Sequence, residues 1–564
     1  MKMNSAVMGI VATTFAVITA HAQIKECPLP RLEQKDGRFA LFVDDAPFLI
    51  LGVENQDIGL ESTWPKRAKD WLAIGYLNAN TVEVPIYWDQ FEAQPGQYDY
   101  SSIDRLLTEA RQHNVRLVPL WFSTYKNGSQ HYMPEWMLMD PGRFSHMIDR
   151  NGQAVDSPSP FATASLDADK SAFAAFMRHL KEVDPQRTVI MVQVENEPGS
   201  WESVRDYSPA AQKLFEAPVP PDVLSAMHMN IASPSPSWQE AFGPDADEYF
   251  NAWSVARYVG QVAAAGKAAY PLPMDVNVAV RDPFHPGPAG QPGAPGNYES
   301  GGATDNVIPI WKVAAPAVDI LGPDDYRADP AAYLRVLELY HRGDNALFLP
   351  ESGCPGCGLE GEEENGRFFF SALGLQAVGV SESGNSPVPY LAMNFRLIGP
   401  MQREIASLNF EGKLQAVAEP LRYKGGDQGK LTQTLPFGSW NAVVSYGTSR
   451  GGPALGNPTP TGRVLVAQLK ANQFLVAGYF CRVDFRPAGT EQQRKTQHIV
   501  EGTGQTPSAL IDGKWQHRQF LRVEQGTYEN GVFRLIRTQN GDATDWGLNF
   551  GEEPVVLRVS LATY

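Results

Sequence analysis

Four cysteines in a chain of 564 residues are too few to frame a fold of this size, so the protein rests on buried apolar surface rather than on a disulfide network. No block of Lys or Arg occurs anywhere, and 47 basic against 63 acidic residues leave a formal charge of -16. Such a chain does not neutralise phosphates in series, which excludes nucleic acid and anionic membrane as expected partners. Beyond the first residues no apolar run is long enough to span a bilayer. A repeat of fixed period is also missing, and the one low-complexity tract is the Pro/Gly stretch around Pro288 to Gly296.

What is present starts with an ordinary globular composition, 43% apolar and 10% aromatic, in a length that at about 100 to 200 residues per domain predicts two or three domains. The first residues carry one Lys, an uncharged apolar stretch from Ala6 to Ala20, and Ala20-His21-Ala22 before Gln23. That is the pattern of a secretory signal over residues 1–22. The expectation is an exported protein, periplasmic or extracellular, with no membrane contact after cleavage. Cys354-Pro-Gly-Cys357 has redox or half-zinc spacing, but no second CxxC or CxxH completes a metal site. A loop-stiffening disulfide or two free thiols is the preferred reading, and no metal or cofactor is expected.

Between residues 23 and 410, strand and helix patterns alternate. "FLILGVEN" (Phe48 to Asn55) reads as a strand, followed by "STWPKRAKDWLAIG" with Thr63 as N-cap and Pro65 in the first turn. "NANTVEVPIYW" is a second strand, and "SSIDRLLTEA" then places Ile103, Leu106, Leu107 and Ala110 on one helix face. "VRLVPLWF" is a third strand, with Phe173, Phe176, Met177 and Leu180 marking the next helix and "TVIMVQVENE" the fourth strand. Further apolar runs lie at Met274 to Val280, Val318 to Gly322, Ala346 to Pro350 and Leu375 to Ser381. Eight helix-separated buried strands predict a (β/α)8 TIM barrel. The Pro/Gly/Ser-rich segments from Ser200 to about Asn251 and from Arg281 to about Asn306 become rim loops at its C-terminal face. From 411 to 564, short β-branched and aromatic runs separated by Gly, Asn and Pro predict an all-β sandwich.

On such a barrel, reactive groups project from the C-terminal strand ends. Strand four ends on Asn196-Glu197 and strand seven, "ALFLPESG", on Glu351. Two acids that far apart in sequence converge only across a barrel mouth, and two carboxylates flanking one bond are what glycoside hydrolysis requires. Glu195 is assigned a structural role, on the other face of a period-two strand. Trp88 and Trp121, at the ends of strands two and three, are candidates for stacking on a sugar face, with a core role as the alternative.

At these residues the chain resembles a known group. Asn-Glu on strand four and Glu on strand seven is the pattern of the retaining clan A glycoside hydrolases. "QVENEPG" resembles the QxENE(Y/P)G motif of glycoside hydrolase family 35, the β-galactosidases. "YWDQFEAQPGQYDYSSIDRLL" is similar to another segment of that family, and "LVPLWFSTYKNGSQHYMPEWM" to the strand-three loop of a bacterial branch with a C-terminal β-sandwich. In strand one, "GVENQDIG" departs from the branch's Gly-Glu-x-His-Asn pattern.

The resemblance implies Glu197 as general acid and then base, Glu351 as nucleophile, and Asn196 on the sugar 2-OH. It places Asn127, with Lys126, in contact with galactose, the alternative for Asn127 being an ordinary turn residue. Glu54 and Tyr326 are further candidates, to bind hydroxyls or orient Glu351, although Glu54 fits an internal ion pair equally well. The implied substrate is a β-galactosyl oligosaccharide or polysaccharide, such as xyloglucan. Two alternatives stay open: a clan A hydrolase with another glycoside specificity, and a non-catalytic carbohydrate-binding protein. Oligomeric state is not legible in the sequence.

Overall fold

A computed structural model describes residues 27–59, 64–230, 233–285, 296–353, 361, 363, 365–383, 389–420, 431–448, 454–489, 491–492, 508–529, 531–539 and 541–564. The expected signal segment, the Thr63 cap, the Pro/Gly tract at its centre and the Cys354/Cys357 pair lie outside these residues.

Eight parallel strands close into the expected barrel: β1 (Ile50–Glu54), β2 (Thr81–Tyr87), β3 (Arg116–Lys126), β4 (Val192–Asn196), β5 (Met274–Ala279), β6 (Ile320–Asp325), β7 (Phe348–Ser352) and β8 (Gly379–Ser383). A helix follows each: α1 (Trp64–Leu77), α2 (Ser101–His113), α3 (Thr163–Val183), α4 (Ala246–Ala269), α5 (Ile308–Ala314), α6 (Pro330–Tyr340), α7 (Phe368–Gly374) and α8 (Pro389–Ile398). The helix faces read from spacing are the buried ones: Ile103, Leu106, Leu107 and Ala110 on α2, and Phe173, Phe176, Met177 and Leu180 on α3. They meet the outward residues of the strands, among them Val82, Val84, Val192, Val194, Val276 and Val278, in one continuous apolar layer. Each such side chain, fully buried, stabilises the fold by about 1.5–3 kcal/mol.

Alternation places the other residues of each strand in the lumen, and the lumen has two halves. Its N-terminal half is apolar: Ile50, Val118, Leu120, Ile320 and Phe348 pack on Leu41 and Val43. Those two belong to a three-stranded antiparallel meander of residues 31–48 that closes this end. Its C-terminal half carries Glu54, Asn277 and Asp324, while Glu83 and Asp275 lie at the boundary, in register with Val118 and Ile320; all five are buried.

Strands six, seven and eight extend further towards their C-terminal ends than the apolar runs predicted, through Asp325, Ser352 and Ser383. Apolar runs mark only the part of a barrel strand that is dry on both faces, and the polar mouth continues the same ladder. The segment following strand four is not all loop. It holds short helices at Pro209–Phe215, Pro221–Ala226 and Trp238–Phe242 before α4 begins, and the last of the three has a Ser237/Glu240 capping box.

The C-terminal part forms two antiparallel sheets. One runs β9 (Leu414–Ala418), β12 (Arg463–Lys470), β13 (Gln473–Tyr479), β20 (Val555–Thr563), β17 (Lys514–Glu529), β16 (Ser508–Ile511) and β15 (Glu491–Gln492), with β18 (Val532–Thr538) also on β17. The other runs β10 (Thr432–Phe437), β11 (Trp440–Ser445), β14 (Cys481–Pro487) and β19 (Leu548–Phe550). The sandwich core between them contains Phe437, Trp440, Val464, Val466, Phe474, Val476, Val483 and Leu557.

On β12 and β13 the alternate residues Leu465, Ala467, Leu475, Ala477 and Tyr479 join the barrel's apolar layer instead. At β12 and β13 the sheet is therefore dry on both faces, and polar pairs fix the contact. Tyr479 donates to the Met393 carbonyl at 2.7 Å, and Arg463 Nε to Asn394 Oδ1 at 2.8 Å. Burial pushes the Arg463 guanidinium down to about 10.

Candidate active site

Two local departures from strand regularity aim the acids. By alternation alone Glu195 and Glu197 share a face of β4, and the expectation that they diverge was right in outcome but not in reason. Glu195 and Glu197 both have positive φ, 63° and 44°, and this breaks the period of two. Glu195 turns out towards α3, where its Oε2 accepts from the Tyr125 amide at 2.7 Å and from Ser123 Oγ at 2.8 Å, beside Asp169. Asn196 and Glu197 turn into the mouth. In β7 the register shifts between Leu349 and Ser352. Ser352 thereby faces α6, bonded to the Tyr333 hydroxyl at 2.7 Å, and Glu351 faces the lumen. Bulges re-aim side chains in this way at barrel rims.

Asn277 on β5 joins the two acids. Its Oδ1 accepts from the Glu197 amide at 2.8 Å, and its Nδ2 lies 3.0 Å from Glu351 Oε1 and 3.2 Å from Asn196 Oδ1. Tyr326, just past β6, donates its hydroxyl to Glu351 Oε2 at 2.5 Å. Asn196 Nδ2 donates to Asn127 Oδ1 at 3.2 Å, and Asn127 sits at φ 52°, a left-handed turn that asparagine tolerates. Lys126 places its ammonium 4.6 Å from the Phe122 ring centre. Glu54 accepts from Gln56 at 2.9 Å and from Ser383 at 2.7 Å.

The electrostatics follow from burial with one nearby cation. Glu351 is raised well above the usual carboxylate range by burial first, then by the charges of Glu54 and Glu197, while Lys126 and the Tyr326 hydroxyl pull it down. Glu197 is raised by burial and by Glu54, with Lys126 and the Asp324 carboxyl pulling down. The donors separate the two roles. Tyr326 and Asn277 both give hydrogen bonds to Glu351, which favours its anion. The carboxyl of Asp324, 3% exposed, has no hydrogen-bond partner on either oxygen among the described residues, and burial first, then the charges of Glu351 and Glu197, raise it well above the usual carboxylate range.

The sequence-predicted residues divide accordingly. The mouth brings together Glu197, Glu351, Asn196, Asn127, Lys126, Glu54 and Tyr326. Trp88 and Trp121 are elsewhere, a correction to the expectation that they stack on sugar. Both are fully buried between barrel and helices: Trp88 donates to Glu92 at 2.8 Å, and Trp121 donates to Asp169 at 2.9 Å while stacking on Phe176. Their indoles point outward because Val82, Val84 and Ile86 on β2, and Leu117 on β3, set that face in the apolar layer.

Asn277 and Asp324 escaped the sequence reading, although a signal existed: "MDVNVAV" and "ILGPDDY" carry polar residues at lumen-facing positions of otherwise apolar strands. Among the described residues no cluster of three or more His, Cys, Asp or Glu has the form of a metal site, and no helix is long and apolar enough to cross a membrane.

A family model described as a domain of unknown function, DUF5597, matches residues 391–551, less than half the chain. No curated protein matches. Solved structures to which the chain is similar include a β-galactosidase from Bacillus circulans sp. alkalophilus, at 12% identity and TM-score 0.46 over 64% of this chain and 57% of that one. Another is a β-galactosidase from the psychrophilic Marinomonas ef1, at 10% and 0.45 over 64% and 61%. A third is an exo-β-1,4-mannosidase from Opitutaceae bacterium strain TAV5, at 14% and 0.38 over 62% and 54%. The chain spans less than two thirds of the length of each.

Proposed function

We propose that the protein is a glycoside hydrolase of the retaining, clan A type, and specifically an exo-acting β-galactosidase resembling family 35. The observation that carries the reading is Asn277, which bonds the backbone of Glu197 and the carboxylate of Glu351 and so holds an acid and a nucleophile on one small volume. Glu351, fed by two donors, attacks the anomeric carbon. Glu197, raised first by burial and so able to hold a proton, protonates the departing oxygen and then activates water against the glycosyl ester. Loss of the Glu351 charge in the ester lowers the proton affinity of Glu197, which suits its change from acid to base. Asn196, held by Asn127 and Asn277, presents its amide to the sugar 2-OH. No step requires a cofactor.

The galactosyl specificity rests on the resemblance of the strand-two, strand-three and strand-four segments. The secretory pattern of residues 1–22 and the appended sandwich support a substrate met outside the cytoplasm, such as galactosyl side chains of xyloglucan.

Hydrolysis of p-nitrophenyl β-D-galactoside beside the gluco, manno and xylo analogues tests the reading. Galactoside-selective turnover is expected. Glu351→Ala should abolish it, and added azide should then yield the inverted α-galactosyl azide. Selectivity for another glycoside overturns the sugar, and activity surviving Glu351→Ala overturns the site. Xyloglucan oligosaccharides should be better substrates than free lactose; the reverse order removes that assignment.

A further inference from the structure

Glu197 holds a left-handed backbone, φ 44°, which a residue with a side chain keeps only where its surroundings fix it. Two backbone bonds do so here. Its amide donates to Asn277 Oδ1 at 2.8 Å, and its carbonyl accepts from the Gly128 amide at 2.9 Å. Asn277 sits on a barrel strand. Gly128, at φ 67°, belongs to the turn after β3 and needs an anchor of its own.

Ser157 is that anchor. It lies on a hairpin between β3 and α3, formed by His146–Ile148 and Ala154–Pro158, and is 1% exposed. Its Oγ donates to the Gly128 carbonyl at 2.5 Å and stands 2.9 Å from Ser200 Oγ. A hydroxyl has one proton, so with the carbonyl taking it Ser200 donates across the second contact. One buried hydroxyl thus ties the turn after β3 to the loop after β4, on either side of the acid's backbone.

The far end of that loop is fixed as well. Ser200 and Ser300 exchange backbone bonds at 3.0 and 2.9 Å. Gly199, at φ 149°, permits the approach, since a Cβ there would stand 2.7 Å from the Ser300 carbonyl oxygen. Ser300 is held in turn by α4: its hydroxyl bonds Glu248, and its carbonyl accepts from Asn251 Nδ2 at 2.8 Å. Ser157 is therefore the side chain through which three rim loops share one geometry. That geometry matters to proton transfer, which needs the carboxyl within hydrogen-bond reach of the departing oxygen; a misplacement of about 1 Å costs on the order of 100-fold.

We infer that Ser157 is a positioning residue for Glu197, locking the loops after β3 and β4 together so that the acid meets the departing oxygen. This rests on the glycosidase reading above.

The experiment compares a leaving group that departs without a proton with one that needs it. Wild type, Ser157→Ala, Ser157→Cys and Ser200→Ala are assayed on 2,4-dinitrophenyl and methyl β-D-galactoside, or on the same pair of whichever sugar the wild type prefers. For Ser157→Ala, kcat/KM on the methyl glycoside should fall about 10- to 100-fold. On the dinitrophenyl glycoside it should stay within about threefold, which also shows that the variant is folded. Ser157→Cys keeps the volume but offers only a weak donor, and should behave like Ser157→Ala. Ser200→Ala, which leaves the Gly128 bond in place, should show the same selective loss to a smaller degree, so the test stands even where Ser157→Ala fails to fold. Burial is the first cause that raises Glu197, and a loosened loop admits water. The basic limb of kcat/KM on the methyl glycoside should therefore move to lower pH in Ser157→Ala. An equal loss on both substrates with an unmoved basic limb, or no loss on the methyl glycoside, overturns the assignment. Wild-type behaviour of Ser157→Cys does so too, because it reduces Ser157 to packing. Absence of wild-type turnover of every glycoside tried overturns the glycosidase reading, and this inference with it.

Discussion

The protein has two interiors built on opposite principles. The sandwich core is apolar throughout, with Phe437, Phe474 and Phe485 in edge and tilted contact 4.8 to 5.5 Å apart. The barrel lumen buries Glu83, Asp275, Asp324 and Glu351, and of these only Glu351 is pulled down by a nearby cation. Burying carboxyls in this way opposes folding. A fold keeps such groups where chemistry uses them, and stability comes from elsewhere. The sandwich, packed on the barrel through β12 and β13, adds apolar burial to a domain whose own centre is strained by charge.

That contrast is open to direct attack, starting where the effect is largest. Glu351→Gln should lower kcat/KM roughly 10,000-fold or more while the melting temperature holds or rises, because a buried anion is gone. A steep loss of stability would mean that Glu351 is structural. In the other interior, Phe474→Ala should do the reverse, destabilising by about 3–5 kcal/mol with kcat/KM at low temperature unchanged; chemical denaturation beside a rate assay separates the two.

Smaller effects sharpen the comparison within the mouth. Tyr326→Phe removes a donor to the Glu351 anion, a bond of about 1.5–3 kcal/mol. Since that bond pulls the Glu351 pKa down, its loss should move the acid limb of the kcat/KM profile to higher pH. An unmoved acid limb would show that Glu351 does not set it. The smallest effect belongs to Asp275, fully buried and pushed up to about 8 from 3.8 chiefly by burial. A raised carboxyl favours the folded state when protonated, so its contribution is complete below about pH 4 and is lost as pH rises towards 8. Asp275→Asn should flatten the stability profile across that window, as read by denaturant unfolding at pH 5 and pH 8; a parallel profile would mean that the group is charged and paired.

The barrel was legible because its strands and helices announce themselves by period. "SSIDRLLTEA" and "SAFAAFMRHLKEV" bury the faces that their spacing marks. The pairing of Glu197 with Glu351 was legible for a different reason: once strands are counted, topology alone places strands four and seven around one mouth. Asn277 was missed because its strand was read for its apolar residues, and the polar ones between them are what face the lumen. Trp88 and Trp121 were misplaced because a strand end does not state which face its last residue takes.

The sequence by itself determined the two-part architecture, the strand count and the two acids, because periodicity and order along the chain are local properties. Tertiary structure alone decided which carboxyl is fed by donors. It also decided which way Glu195 turns. Those outcomes depend on a positive φ, a register shift and groups tens to hundreds of residues apart, and no pattern of neighbours along the chain encodes them.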